Sequence, residues 1–190
     1  MAHQTTDVFA LWQAWEAECG AVCDVPYWAI PWPAALVLSA YLRANPALVI
    51  GKSVLDCGCG GGVVAIAAMA SGAREATGYD LDPDAIFVAQ ENAAANGVGV
   101  DFACQDVTCG EQRGFDLILV ADLFYQREVA AALLVALNRA RQAGAEVIIA
   151  DSGRPFLPKE NLRELACQSV PTLFAVEGRL SRTVRLYRLG

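Results

Sequence analysis

A short apolar segment followed by a run of glycines is the feature that most restricts how this chain can fold. Ser53–Cys57 (SVLDC) predicts a buried β-strand, residues 58–62 (GCGGG) predict a tight loop, and Val63–Ser71 predict an alanine-rich helix. A strand that runs through glycines into a helix is typical of the first unit of a βαβ fold, where the glycines let the main chain approach a ligand.

The alternation of strands and helices continues along the rest of the chain. Further strands are predicted at Glu75–Asp80, Val100–Cys104, Phe115–Val120 and Glu146–Ala150, with helices at Asp84–Asn96 and Arg127–Gln142. After Asp151 the pattern predicts a helix at Lys159–Cys167 and a terminal hairpin formed by Thr172–Glu177 and Thr183–Leu189. The fold class is therefore α/β: a Rossmann-like, doubly wound, mostly parallel seven-stranded sheet with a C-terminal antiparallel hairpin.

The first 45 residues differ from this pattern and predict a cap. Helical spacing at Asp7–Val22 and Ala34–Ala44 flanks a proline-rich stretch at residues 23–33. A length of 190 residues with 55% hydrophobic and 18% charged residues suits one domain with a buried parallel sheet. We expect a single domain over residues 1–190, with a helical cap at 1–45 and a seven-stranded core at 46–190.

Charge and cysteine content exclude several partners. A net charge of −7 argues against nucleic acid, because phosphate binding needs a basic face. No apolar run is long enough to span a membrane, and the start lacks the features of a signal peptide. Seven cysteines, an odd number, and one histidine (His3) predict reduced thiols in the cytoplasm and no metal site. We expect a monomer.

The end of each of the first four predicted strands carries an acid, in the strand or just after it. These acids are Asp56, Asp80, Asp106 and Asp122. Ligands of open α/β sheets bind at the carboxyl ends of the strands, so the four carboxylates are expected to share one site. Asp80, 24 residues after Asp56, is placed to accept from ribose hydroxyls, and Asp106 from an adenine amino group.

The glycine loop itself disfavours a phosphate. It lacks a clean G-x-G-x-x-G spacing and has no following Lys-Ser/Thr, which excludes a P-loop. A nucleoside with a positive centre and no phosphate, such as S-adenosylmethionine, suits the acidic strand ends better. Simpler structural roles stay open at several positions: Asp80 or Asp122 as helix caps, Asp106 as a surface acid, Tyr125, Trp28 and Trp32 as packing, and Arg154 as a turn charge.

At this point the chain resembles the class I, seven-stranded methyltransferases. VLDCGCGGG is similar to their first motif, GYDLDP to their second-strand acid, and ENAAANGV to the helix that follows. PYWAIPWPAALVLSAYL, DLFY and DSGRP resemble the bacterial lysine methyltransferases of the electron transfer flavoprotein β-subunit. The chain departs from that pattern by Cys57 and Cys59 in the glycine loop and by having no extended N-terminal region.

The resemblance implies a role for each matching position. The expected cofactor-binding residues are Trp32, Asp56, Gly58, Gly60, Asp80, Asp106 and Ala121. The expected catalytic residues are Asp122 and Tyr125, which form the family's acid-x-x-aromatic motif beside the target amine. Trp28, Phe124 and Arg154 are expected to contact the substrate. The implied activity is S-adenosylmethionine-dependent methylation of a lysine in the flavoprotein β-subunit, a protein partner.

Other functions fit the same fold. A small-molecule amine N-methyltransferase would need a closed pocket capped by Asp7–Pro33 rather than an open channel. A nucleic-acid methyltransferase is disfavoured by the charge and by DLFY, which stands where an Asn/Asp-Pro-Pro-Tyr/Phe segment would be expected. A non-enzymatic interaction module is weakened because every strand-end acid is present.

Overall fold

The architecture comes from a computed structural model that describes residues 4–5, 7–109 and 114–190. Seven strands form one sheet: β1 Ser53–Cys57, β2 Glu75–Asp80, β3 Asp101–Cys104, β4 Leu117–Ala121, β5 Glu146–Asp151, β6 Leu162–Pro171 and β7 Ser181–Leu189. Six helices accompany them: α1 Val8–Cys19, α2 Pro33–Ala44, α3 Val63–Ala70, α4 Pro83–Ala95, α5 Arg127–Gln142 and α6 Phe174–Glu177. Two short 3₁₀ turns lie at Tyr27–Ala29 and Pro46–Leu48.

The sheet has the order β3-β2-β1-β4-β5-β7-β6. The five strands from β3 to β5 are parallel, and β7 lies antiparallel between β5 and β6. The seven-stranded α/β fold with an antiparallel C-terminal pair is therefore confirmed. Because the chain reverses direction across the sheet between β1 and β4, the ligand crevice of such a sheet opens at this point.

Two apolar layers bury the sheet. On one face α2 and α3 pack against the sheet through residues such as Leu38, Leu42 and Leu119, which are fully buried. On the other face α5 packs through Leu133 and Leu137. The central strands are apolar on both faces, as β1 and β4 show, because helices cover both sides of a parallel sheet.

The predicted helix at Lys159–Cys167 is wrong, since this segment lies mostly in β6. Its apolar residues Leu162, Leu165 and Ala166 have helical spacing because a register shift between Glu164 and Ala166 interrupts the strand's alternation. The predicted strand at Thr172–Glu177 is also wrong: the connection between β6 and β7 contains the single helical turn of α6, which ends at Gly178. The antiparallel terminal pair itself is correct, with β6 as the partner of β7.

Among the described residues, no helix has the length and apolar character that a membrane span requires.

Candidate functional site

The carboxyl ends of the parallel strands bring the predicted acids to one edge of the sheet. Cys57 at the end of β1 pairs with Tyr79 of β2 and with Val120 of β4. The Gln105 amide, just after β3, donates to the Asp80 carbonyl over 2.8 Å. The loops after β1 to β5 therefore surround one crevice, and the residues in them are described in turn.

The glycine loop after β1 is shaped by close packing. Gly58 has φ +63°, and a Cβ at this position would lie 2.6 Å from a Leu123 methyl carbon in the loop after β4. Gly60 has φ +49°, and a Cβ there would lie 3.7 Å from the Trp28 Cα. Glycine is required at 58 both by the left-handed backbone and by the neighbouring loop, so the two loops are fitted to each other.

Asp80 ties the glycine loop to the end of β2. Its Oδ2 accepts from the Gly60 amide over 2.8 Å and its Oδ1 from the Asp82 amide over 3.1 Å. A carboxylate has about four acceptor positions, so each oxygen of Asp80 keeps one for a ligand. Asp82, rather than Asp80, caps α4 by accepting from the Asp84 amide over 2.8 Å.

Asp56 lies beneath the glycine loop. It is buried, and its Oδ2 accepts from the Ala65 amide in the first turn of α3 over 3.0 Å. Burial raises the pKa of this carboxyl to about 7, the Ala65 hydrogen bond opposes the shift, and the negative charge of Asp80 adds to it. Asp56 is thus placed to gain stability from a cationic ligand group above it.

Asp106 reaches the same edge but is held within its own loop. Its Oδ1 accepts from the amide and the hydroxyl of Thr108, over 2.8 and 2.7 Å, and its Oδ2 from the Cys109 thiol over 3.3 Å. The Thr108 hydrogen bonds lower the pKa of this carboxyl. Asp106 is therefore an ionised acceptor, and Oδ2 is the oxygen with room for an adenine amino group.

Asp122 is buried at the end of β4, next to Ala121, with a positive φ of 56°. Its Oδ1 accepts from the Ser152 amide and hydroxyl, over 2.9 and 2.7 Å, and from Arg154 Nε over 3.0 Å. Its Oδ2 accepts from the Ala34 amide at the start of α2 over 3.2 Å. Asp122 is thus a capping residue for α2 and not for α5, and one acceptor position remains on Oδ2.

Arg154 lies inside the protein instead of facing solvent. Besides Asp122, it contacts Glu177 through Nη2 over 2.9 Å, and its guanidinium carbon is 5.1 Å from the centre of the Trp32 ring. The prediction that Arg154 contacts the substrate does not fit these contacts, because its side-chain donors bind Asp122 and Glu177.

Tyr27, Trp32 and Tyr125 form an aromatic rim beside the strand-end acids. The rings of Tyr27 and Trp32 are 6.0 Å apart, and the Trp32 indole donates to the Tyr27 carbonyl over 2.9 Å. Tyr125 is half exposed; burial, together with the charges of Asp80 and Tyr27, raises the pKa of its phenol. Sequence reasoning missed Tyr27, although it stands in the PYW segment that the prediction used for Trp28.

Two predicted substrate contacts lie elsewhere. Phe124 is fully buried in the apolar layer under α5, so the prediction that it lines a substrate channel is wrong. Trp28 is half-buried and packs its ring against Trp15 at 5.4 Å. The indole nitrogen of Trp28 is buried and has no partner among the described residues, and the Trp28 Cα lies 3.7 Å from the position of a Cβ on Gly60.

Cys57, at the end of β1, and Cys59, in the glycine loop, are small buried side chains. Burial, with a smaller effect of Asp56, raises the pKa of both Cys57 and Cys59, so these thiols stay protonated. Within the described part of the chain no three potential ligands are close enough to hold a metal ion.

Two curated proteins illustrate what the chain is similar to in sequence. One relative is the electron transfer flavoprotein beta subunit lysine methyltransferase of Mus musculus, 41% identical over 147 residues, which are 76% of this chain and 58% of that protein. Another is the ribosomal protein L11 methyltransferase of Laribacter hongkongensis, 42% identical over 91 residues, which are 48% of this chain and 29% of that protein. The chain thus spans little more than half the length of the first of these relatives.

A solved structure shows the same fold. The magnesium protoporphyrin IX methyltransferase (ChlM) of Synechocystis PCC 6803, with bound SAM, superposes with a TM-score of 0.61 at 20% identity, over 95% of this chain and 92% of that one. A family model described as ribosomal protein L11 methyltransferase (PrmA) matches residues 38–150, which include the glycine loop and all four strand-end acids. This match covers more than half of the chain, and the chain therefore belongs to the PrmA family.

Proposed function

We propose that the chain is an S-adenosylmethionine-dependent protein lysine N-methyltransferase whose substrate is the electron transfer flavoprotein β-subunit. The observation that carries the proposal is the Asp80–Gly60 hydrogen bond, which joins an acceptor for ribose to a glycine loop at the switch point of the sheet. The Mus musculus relative, which is 41% identical, supports the choice of substrate.

The crevice fits this cofactor in several respects. Asp80 has one free acceptor position on each carboxylate oxygen, which suits the two ribose hydroxyls. Asp56 would face the cationic amino group of the methionine part, and Gly58 and Gly60 leave space for the approach of that part. Asp106 would accept from the adenine amino group. Ala121, beside Asp122, would flank the methionine part.

When bound, S-adenosylmethionine supplies a methyl group activated by a sulfonium. Trp32, held by the Tyr27 carbonyl and stacked with Arg154, would cover the site and exclude water.

The target amine has to be neutral to react. A lysine with a pKa of about 10.4 is almost fully protonated at pH 7, and releasing its proton costs about 4.6 kcal/mol. Removal of water by Tyr27, Trp32 and Tyr125 lowers that cost, since desolvation disfavours the ammonium form. The free acceptor position on Asp122 Oδ2 would orient the amine, and positioning supplies the larger part of the rate.

A protein acceptor fits the rim better than a small amine does. Tyr27 and Tyr125 remain 57% and 49% exposed, so the mouth of the crevice is open where a small-molecule enzyme would need a closed cap. The proposal also keeps a monomeric state and a cytoplasmic location.

The test is methyl transfer with isotopically labelled S-adenosylmethionine. The isolated β-subunit, the intact flavoprotein and a panel of small amines serve as separate acceptors, and mass spectrometry locates the label. We expect label on a lysine of the β-subunit, and at least tenfold slower labelling at a cofactor concentration below the Kd when Asp80→Ala replaces the wild-type chain. Label confined to small amines would favour the small-molecule alternative, and label on another protein would retain the reaction but replace the substrate.

A further inference from the structure

Four charged side chains form a continuous row from the site to the start of β7. Asp122 Oδ1 accepts from Arg154 Nε over 3.0 Å, and Arg154 Nη2 donates to Glu177 Oε1 over 2.9 Å. Glu177 Oε2 in turn accepts from Arg182 Nε over 2.7 Å. Charges alternate along the row, and the last two members belong to the α6 turn and to β7.

The side chains of this row are largely shielded from water. The side chains of Asp122 and Glu177 are 5% and 4% exposed, and that of Arg154 is 14% exposed. Burial disfavours a charged Arg154, but Asp122 and Glu177 more than compensate and raise its pKa. Buried ion pairs contribute little net stability, because desolvation offsets their attraction, so stability alone does not account for the row.

The inner end of the row touches the parts of the site that must be placed accurately. Arg154 contacts both the Asp122 carboxylate and the Trp32 ring, and Asp122 also holds the Ala34 amide at the start of α2. Arg154 has several rotatable bonds, and its orientation is fixed only if both ends of its guanidinium are engaged. Glu177 engages the end that points away from the site.

We propose that Glu177 is a positioning residue for methyl transfer, which acts by fixing Arg154 and, through Arg154, the Asp122 carboxylate and the Trp32 ring. The inference rests on the proposed function, since it assigns Asp122 and Trp32 their roles in that reaction. It makes the α6 turn, which lies outside the matched family segment at residues 38–150, a working part of the site.

The decisive variant is Glu177→Gln, which keeps the size of the side chain and removes its charge. We expect kcat for the protein acceptor to fall at least tenfold, while the Kd for S-adenosylmethionine and the KM for the acceptor change less than threefold. The matched control is Glu164→Gln: Glu164 lies on the same hairpin, pairs with Arg185 at 3.5 Å and is half exposed, so its loss should leave kcat unchanged.

A double-mutant cycle separates positioning from general destabilisation. Arg154→Lys keeps the charge but cannot contact Asp122 and Glu177 at the same time, so it should lower kcat as well. If Glu177 acts through Arg154, the double variant should be no slower than Arg154→Lys alone. Additive losses, or an unchanged kcat in Glu177→Gln, would overturn the proposal.

An activity-independent readout distinguishes this inference from the proposed function. The Nε–H resonance of Arg154 in a ¹⁵N-labelled sample reports its hydrogen bond to Asp122, and we expect it to move toward the position of a free arginine in Glu177→Gln. If the wild type transfers no methyl group to protein, the proposed function fails, whereas an unmoved resonance rejects the positioning role. If Glu177→Gln does not fold, Glu177→Asp is the replacement variant. It keeps the negative charge, but its shorter side chain cannot reach Arg154 in the same way. Full activity of Glu177→Asp would also contradict the proposal.

Discussion

The Asp80 carboxylate and the Gly60 amide lie 2.8 Å apart, so the acid that ends β2 holds the loop that follows β1. One side chain therefore has two tasks, shaping the glycine loop and receiving the ribose. Hydrogen bonds to charged groups contribute about 1.5–3 kcal/mol each. Removal of the Asp80 carboxylate takes away the acceptors of both ribose hydroxyls but only one hydrogen bond to the glycine loop, so it should affect cofactor binding more than folding.

Asp80→Ala should weaken S-adenosylmethionine binding at least tenfold in isothermal titration calorimetry. Asp101→Ala is the control, because Asp101 is an exposed acid at the start of β3, away from the carboxyl ends of the strands. An unchanged Kd in Asp80→Ala, with Asp101→Ala behaving as wild type, would remove Asp80 from the cofactor site.

Gly58→Ala should destabilise the fold more than Gly97→Ala does. Both glycines have a similar positive φ, +63° and +67°, but only at 58 would a Cβ meet a neighbour, Leu123, at 2.6 Å. The left-handed backbone costs about 1–2 kcal/mol for alanine, and overpacking adds about 1–3 kcal/mol. Thermal unfolding measures the difference, at about 2–4 °C per kcal/mol for a chain of this size.

The steric explanation has its own check in the pair Gly58→Ala and Leu123→Ala. Shortening Leu123 removes the methyl groups that the new Cβ would strike, so the double variant should be more stable than the sum of the two single effects predicts. Strict additivity would mean that the backbone conformation alone requires glycine at 58.

Asp56 should make the cofactor-free protein less stable as the pH rises. Its pKa is raised from 3.8 to about 7 in the folded chain, so between these values the folded state binds more protons than the unfolded state. Stability then falls with rising pH through this window. Asp56→Asn removes the effect, and its Tm relative to wild type should increase from about pH 5 to about pH 8.

The comparison of wild type with Asp56→Asn isolates the effect of Asp56, because all other titrating side chains are present in both proteins. Burial also raises the pKa of Asp151, to about 6, but this carboxyl is present in wild type and variant alike. Asp101→Asn, at an exposed position, is the control for the loss of one carboxylate. A Tm difference for Asp56→Asn that does not change with pH would contradict the raised pKa.

The sequence predicted the parts of the molecule that local pattern determines. Strands β1 to β5 and the helices between them follow from alternating apolar segments with glycine and proline at their ends, and parallel strands bring Asp56, Asp80 and Asp106 to one edge. The segment Leu162–Pro171 was mispredicted because pairing with β7 and a register shift override its helical spacing.

Contacts between distant segments could not be predicted. Asp122 meets Ala34 from 88 positions away and Arg154 from 32, and no local pattern records either pairing. Phe124 shows the same limit: it is adjacent to Tyr125 in sequence, yet one side chain is fully buried and the other is 49% exposed. Asp122, which has a positive φ, changes the direction of the chain between the end of β4 and these two residues.

Tyr27→Ala should affect the protein acceptor more than the cofactor. Tyr27 is 57% exposed and contacts Trp32 at the rim, so its removal opens the crevice to water without touching the strand-end acids. We expect KM for the acceptor to rise at least fivefold, with the Kd for S-adenosylmethionine within about twofold of wild type. Tyr41→Ala, near the C-terminal end of α2 and packed against the apolar core, is the control; equal effects from both would deny Tyr27 a specific role.

Asp122→Asn should abolish methyl transfer while cofactor binding survives. Asparagine can still accept from Ser152 or Arg154 through its oxygen, but its amide N–H₂ then faces the Ala34 amide, which cannot accept from it. The same N–H₂ would donate to the lone pair of the neutral target amine, which is the pair that has to attack the methyl group. We expect kcat to fall at least a hundredfold, while the Kd for S-adenosylmethionine stays within about fivefold of wild type. The control is Ser152→Ala, which removes one donor to Asp122 and leaves the carboxylate in place, and both variants should lower Tm by a similar amount. If Asp122→Asn and Ser152→Ala lose activity equally, Asp122 only supports the fold; if Asp122→Asn alone is inactive, its free Oδ2 position is the acceptor for the amine.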